Sequence, residues 1–271
     1  MRSPPQALGA WFVRYITRPR EEYRRWYLND PVRLKSRIRP GDVILVEGDQ
    51  RVSQAIKYLT MSPWSHTGIY VGSALLRDPA QRDQVKATFG KEARYLIVEA
   101  LVDRGVVVSP LVKYIDFNVR VCRPVGLAHE QIETVLEYVL SRVGFTYDQR
   151  NIRDLLRYLL PFHLIPTRLR EEALHFGSGK DTETICSSLL AEAFAKVGFP
   201  VRPLHVRRRE TATGRRWRRI LRRPTGRLYT GLLKARHPSL CVPRDFDLSP
   251  YFDVVKFNER EPLQFEHERE E

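Results

Sequence analysis

Three residues far apart in this sequence have types and settings that suit nucleophilic chemistry. The first is Cys186, in "ETICSSLLAEAF", Glu183 to Phe194. From Leu189 onward the apolar residues fall at Leu189, Leu190, Ala193, Phe194 and Val197, the spacing of one helix face turned to a core. Thr184 is a candidate N-cap, which puts Cys186 in the first turn. There the unpaired backbone N–H groups and the helix dipole favour a thiolate over a thiol. A small cysteine packed in the core would suit the same helix, so the choice between them rests on the rest of the chain.

A cysteine nucleophile needs a base, and the base needs a group to hold it. The best histidine is His66, which opens a strand after a tight loop in "SPWSHTGIYVG". By strand alternation His66, Gly68, Tyr70 and Gly72 share a face, and the two glycines would leave room beside the imidazole for a helix end or a substrate. A surface histidine, or one satisfied within the core, is the plain alternative. The candidate holder is Glu99, the only charge in the apolar strand "YLIVEALV". A buried carboxylate is costly unless paired, so it implies a partner such as histidine; a glutamate on an edge strand facing water would need none. His129, His163, His175, His205, His237 and His267 fall on helix starts, loops or tails. Two other motifs carry no weight. "GSGKD" lacks the earlier glycine and preceding strand of a phosphate loop, and "HEQIE" lacks the second histidine of a zinc-protease helix.

The elements that must position these residues can be read from periodicity. Residues up to about Arg39 suggest one or two helices with arginines and aromatics mixed. "RPGDVILVEG" gives a Pro-Gly turn and a β-rich run, Val43 to Val46. Ser53 is expected to cap a short helix, "SQAIKYL". "HTGIYVG" reads as a strand, and Asp78 to Lys91 as a polar loop. "RYLIVEAL" and "GVVVSPL" read as a hairpin turning through Asp103-Arg104-Gly105, and "FNVRVCRP" as a further strand. Ile132, Val135, Leu136, Val139, Leu140 and Val143 then form a helical stripe. "NIRDLLRYLL" predicts another helix, and "YFDVVKF" a closing strand. Strands grouped in the middle with helices on both sides argue for an α+β fold with a central antiparallel sheet.

The 271 residues suffice for one large domain or two small ones, and a 42% hydrophobic content allows a sizeable core. Cys122, Cys186 and Cys241 are too widely spaced for a disulfide framework or a metal-binding pair. That favours a reducing compartment. No stretch reaches the about 18 consecutive apolar residues of a spanning helix, and the first residues do not read as a signal peptide. A cytoplasmic protein, soluble or peripheral on the inner face of a membrane, is therefore expected. Charge is unevenly spread over the net +14. Residues 202–236 hold thirteen Lys/Arg and one acid, and residues 1–39 hold ten and three. The tail from His237 holds four and nine, which leaves residues 40–201 neutral. The expected organisation is a basic extension (1–39), a body (40–201 and 237–258), a basic insertion (202–236) and an acidic tail (259–271).

Taken in order, His66, Glu99 and Cys186 resemble the YiiX/YaeF-like proteins, circularly permuted relatives of the papain-like and NlpC-type cysteine hydrolases. "RPGDVILVEG" resembles the family's opening strand, "SPWSHTGIYVG" its Ser-His-x-Gly strand and "LIVEALVDRGVVVSPL" its third-residue segment. "GFTYDQ" is similar to its Gly-x-x-Tyr-Asp element, "ICSSLLAEAF" to its cysteine helix and "CVPRDFDLSPYFDVV" to its closing segment. The resemblance implies a permuted papain-like fold and an acyl-enzyme route on an amide, ester or thioester, with no metal or organic cofactor. Cys186 would be the nucleophile, His66 the general base and then acid, and Glu99 the residue holding the imidazole. The backbone N–H of Cys186 would donate to the oxyanion. Tyr147, Asp148, Trp64 and Ser65 would line the substrate pocket, although Tyr147-Asp148 fits a structural turn equally well. Family members often carry an acid two residues after the cysteine, where this chain has Ser188. A peptide or amino-acid amide is the leading substrate class, with acyl-lipids close behind.

The insertion contains "RRWRRILRRP", in which Arg215, Arg216, Arg218, Arg219, Arg222 and Arg223 surround Trp217, Ile220 and Leu221. Leu228, Tyr229, Leu232 and Leu233 repeat a helical stripe beyond Pro224. A basic amphipathic hairpin of this kind suits an anionic membrane surface. A solvated charged excursion is the alternative, and nucleic acid fits less well because aromatics for base stacking are sparse. A non-catalytic binding protein on an old fold would use the same segment.

Overall fold

The computed structural model describes residues 14, 15, 17–19, 29–145, 185–205, 233–235 and 241–258. "NIRDLLRYLL", most of the basic insertion and the acidic tail lie outside the described residues. The centre is a six-stranded antiparallel sheet. Its strands are β1 (Val43–Val46), β2 (His66–Gly72), β3 (Leu96–Leu101), β4 (Gly105–Pro110), β5 (Val119–Pro124) and β8 (Phe252–Val255). They lie side by side in the order β4-β3-β2-β1-β5-β8. The strands are rich in valine, isoleucine and leucine, side chains that pack well on a pleated surface. β1 is buried at all four positions, so both sheet faces must be covered.

One face carries Val43, Leu45, Ile69, Val71, Val98 and Ala100 and is covered by two helices, α4 (His129–Ser141) and α5 (Ile185–Lys196). Phe194 of α5 is fully buried there, in edge-on contact with Phe252 of β8 (ring centroids 5.3 Å apart). The other face carries Ile44, Val46, Tyr70, Ile97 and Val121. It packs against Leu34 and Ile38, at and just beyond α1 (Pro31–Arg37), and against Leu111, Tyr114 and Phe117. The expected α+β architecture is thus observed. The hairpin turns where expected, with Gly105 at φ +73°.

Two local expectations need correction. Asp78 to Lys91 is not a loop, because Pro79–Phe89 forms a helix, α3. Asp78 caps it, accepting from the Ala80 N–H at 2.9 Å, and Pro79 occupies the first helical turn. Only Val85 is buried on this helix, so it lacks the apolar stripe that marks α4. The helix α2 (Arg51–Thr60) begins before Ser53, which is therefore no cap but a buried residue of its first turn. A Cβ at Gly48 would lie 2.4 Å from the Ser53 hydroxyl, so this close approach requires glycine.

Two short strands, β6 (Pro203–His205) and β7 (Leu233–Ala235), pair antiparallel from Pro203↔Ala235 to His205↔Leu233. They bring together the two ends of the basic insertion. After it, α6 (Pro243–Asp247) leads into β8, which extends the sheet beside β5.

Candidate active site

Glu99 sits on β3, an interior strand, so the edge-strand reading falls. It faces Gly68 of β2 in the register and is 1% exposed. Its carboxylate meets three donors. Oε2 accepts from His66 Nε2 at 2.7 Å and from the Tyr114 hydroxyl at 2.5 Å. Oε1 accepts from Lys113 Nζ at 2.6 Å. Burial alone would raise its pKa, but the hydrogen bond and charge of His66, with those of Lys113, hold it well below the ordinary carboxylate range.

Sequence reasoning missed Lys113 and Tyr114, which lie in the short 3₁₀ turn Leu111–Tyr114 following β4. One signal was available. A carboxylate in the middle of a sheet has two oxygens to satisfy, and one imidazole can serve only one of them. The Tyr114 ring also stacks obliquely against His66, with centroids 5.9 Å apart.

His66 is the first residue of β2, and the loop before it is pinned on several sides. Met61 closes α2 in the left-handed region at φ +47°. The Trp64 indole donates to Asp247 of α6 at 2.9 Å, and Asp247 also pairs with Arg120. Ser65 Oγ accepts from the Gly48 N–H at 2.9 Å, and Ser65 N–H donates to the Val46 carbonyl at 3.1 Å. Trp64 and Ser65, expected to line a pocket, are both 3% exposed and engaged in holding this loop. Tyr147, Asp148 and the arginines at 215, 216, 218, 219, 222 and 223, with Trp217, lie outside the described residues. The room expected beside the imidazole at Gly68 and Gly72 is used otherwise. A Cβ on Gly68 would rest 3.6 Å from that of Glu99, and Gly72 lies near Tyr70 and Pro40.

Cys186 is the second residue of α5 and is buried. With Nε2 of His66 committed to Glu99, Nδ1 is the nitrogen left for the sulfur. Burial pushes the Cys186 thiol up. The hydrogen bond and charge of His66 outweigh this, helped by the backbone and side chain of Thr67, and the pKa ends below the ordinary thiol value. Burial likewise pulls His66 down. Its hydrogen bonds to Cys186 and Glu99 and their charges reverse the effect, and its pKa rises to about 9. Cys122, on β5, goes the other way, as burial pushes it up to about 12. Ser187 donates to the Cys241 carbonyl at 2.6 Å, and Ser188 is 1% exposed. Position 188, where the family resemblance implies an acid, is thus a packed one here.

The three residues singled out in the sequence therefore meet at one end of β2. The imidazole bonds a buried carboxylate whose pKa is held low, and it helps lower the pKa of the Cys186 thiol. Residues 37–158 match the profile of the permuted papain-like amidases, YaeF/YiiX. Over that stretch the chain is similar to this family. The match takes in His66, Glu99, Lys113 and Tyr114 and ends before the helix that carries Cys186. Among solved structures, the chain is similar to one from Escherichia coli described as metalloprotein yiiX. The two share 17% identity at a TM-score of 0.45, over 82% of this chain and 98% of that one. No curated protein matches the chain. No described helix is long and apolar enough to cross a membrane.

Proposed function

We propose that this chain is a cysteine-nucleophile hydrolase or acyl transferase. In this reading Cys186, His66 and Glu99 act on an amide bond of a peptide or amino-acid conjugate. The observation that carries the reading is the arrangement around His66. Nε2 is held at 2.7 Å by a carboxylate buried among three donors, which turns the other nitrogen to a thiol whose pKa is depressed. The amidase character of the family supports it.

The chemistry follows from the protonation states. In the resting pair the proton sits on the imidazole and the charge on the sulfur. The thiolate attacks the carbonyl carbon, forming a C–S bond as the carbonyl π electrons move onto oxygen. The Cys186 N–H, in the first turn of α5 and without an intrahelical acceptor, donates to that oxyanion. Collapse breaks the C–N bond, and His66 gives its proton to the departing amine. Water then loses a proton to His66 and attacks the thioester, releasing the acid and restoring the ion pair. An amine or alcohol in place of water would make the same step an acyl transfer. Glu99 stays ionised throughout and stabilises the imidazolium without taking its proton.

Alkylation of each cysteine by iodoacetamide across pH, read by mass spectrometry, tests this assignment. Cys186 alone is expected to react well below the about 8.5 of a free thiol, and to lose that reactivity in His66→Ala. An accessible Cys186 that titrates as an ordinary thiol in both proteins would remove the nucleophile. The non-catalytic reading based on the basic insertion would then take its place.

A further inference from the structure

Thr67 follows His66 on β2, and alternation turns its side chain to the opposite face of the sheet from Gly68 and Tyr70. Ile69 and Val71 share that face, and α5 packs on it. Thr67 is fully buried, and its Oγ1 has no hydrogen-bond partner. A hydroxyl in that condition costs free energy that valine, of nearly the same shape, would avoid. The Thr67 side chain acts on the Cys186 thiol, whose sulfur is a poor acceptor when protonated and a good one as a thiolate. The paired register of β2 and β3 begins only at Gly68↔Glu99, one residue beyond Thr67. The Thr67 backbone N–H, like its side chain, helps lower the Cys186 pKa.

We propose that the Thr67 hydroxyl is a dedicated hydrogen-bond donor to the Cys186 thiolate. With the Thr67 N–H and the His66 imidazolium it forms a three-donor cradle that holds the sulfur on the sheet side of α5. The proposal rests on Cys186 being ionised, as the preceding section has it. Its consequence is specific. The hydroxyl stabilises the anion before attack and releases it as the sulfur becomes a neutral thioester. It therefore trades some intrinsic nucleophilicity for a larger ionised fraction at neutral pH.

The test is the pH profile of iodoacetamide alkylation at Cys186 in wild type, Thr67→Val and Thr67→Ser, with thermal melting alongside. In Thr67→Val the midpoint is expected to rise by about 0.5–1 pH unit, the worth of one lost hydrogen bond. The high-pH plateau should rise about two-fold, because a more basic thiolate is a better nucleophile. Thr67→Ser should restore both values. A residue that merely fills space would change the melting temperature and leave midpoint and plateau in place, which would overturn the proposal. If the valine variant does not fold, Thr67→Ala against Thr67→Ser makes the same comparison. A wild-type Cys186 with an ordinary midpoint would overturn the thiolate and the cradle together. An unmoved midpoint in the variant, beside a depressed one in wild type, would overturn the cradle alone.

Discussion

A carboxylate that accepts from a histidine, a lysine and a tyrosine while 1% exposed has little freedom to change its charge. Together with the hydrogen bond and charge of Cys186, it raises His66 to about 9 against the pull of burial, and the sign of two substitutions follows. Glu99→Gln removes the anion that favours the imidazolium. The alkaline limb of activity should then move down from about 9 toward the ordinary histidine value, and kcat/KM should fall about 10²–10⁴-fold. Lys113→Met removes a cation that competes with the imidazolium for the same carboxylate. Its alkaline limb should stay at about 9 or rise, while stability falls by about 1–3 kcal/mol as Oε1 loses its donor. Measured pH–rate profiles and melting curves for the two variants check this. A downward shift in Lys113→Met would mean that Lys113 acts on His66 by some route other than through Glu99.

At the scale of elements, the site depends on parts from distant stretches of chain. α6 lies beyond the basic insertion, yet Asp247 holds Trp64 two residues before His66, and Arg244 donates to the Thr60 carbonyl at 2.6 Å. Asp247→Ala should leave the Trp64 indole without its acceptor and cost about 1–3 kcal/mol, seen as a lower melting temperature. kcat should drop because the loop bearing His66 is freed, while the pH limbs stay in place because Cys186, His66 and Glu99 are untouched. A shifted limb would show that the loop also sets the charge state of His66. Most of the sheet was legible in the sequence, since alternating and continuous apolar runs mark strands directly. Glu99 was legible as a lone charge in an apolar run, and His66 and Cys186 by their places at the start of a strand and of a helix. α3 was not read, because a helix that buries only Val85 has no stripe, although Asp78-Pro79 carried a start signal. Lys113 and Tyr114 were missed for a different reason. Nothing in "LVKYIDF" marks it as a turn, and their role exists only once β3 and the turn are side by side. Thr67 looked like an ordinary strand threonine until its face was known to carry α5.

For the whole molecule, the charge distribution sets the remaining question. The body that carries the site is neutral in sequence, while residues 202–236 carry a net +12 and begin and end at the β6–β7 pair. We propose that this segment bears on an anionic membrane surface and so brings the site to substrates held there. Each arginine near such a surface contributes about 1 kcal/mol, screened as salt rises. The protein is expected to co-sediment with phosphatidylserine-containing vesicles at low ionic strength and to detach as salt increases. Replacing Arg215, Arg216, Arg218, Arg219, Arg222 and Arg223 by glutamine should abolish co-sedimentation and leave the pH profile of Cys186 alkylation unchanged. Binding that survives the six substitutions would place the membrane contact elsewhere, the basic first 39 residues being the next surface to test. Binding to vesicles and to duplex DNA with equal strength and equal salt dependence would instead mark the segment as a general polyanion binder. Loss of vesicle binding together with loss of Cys186 reactivity would mean that the insertion reaches back into the site. The arginines would then belong with substrate recognition, a role that neutral soluble amides and anionic ones, compared in the same six-fold variant, would separate.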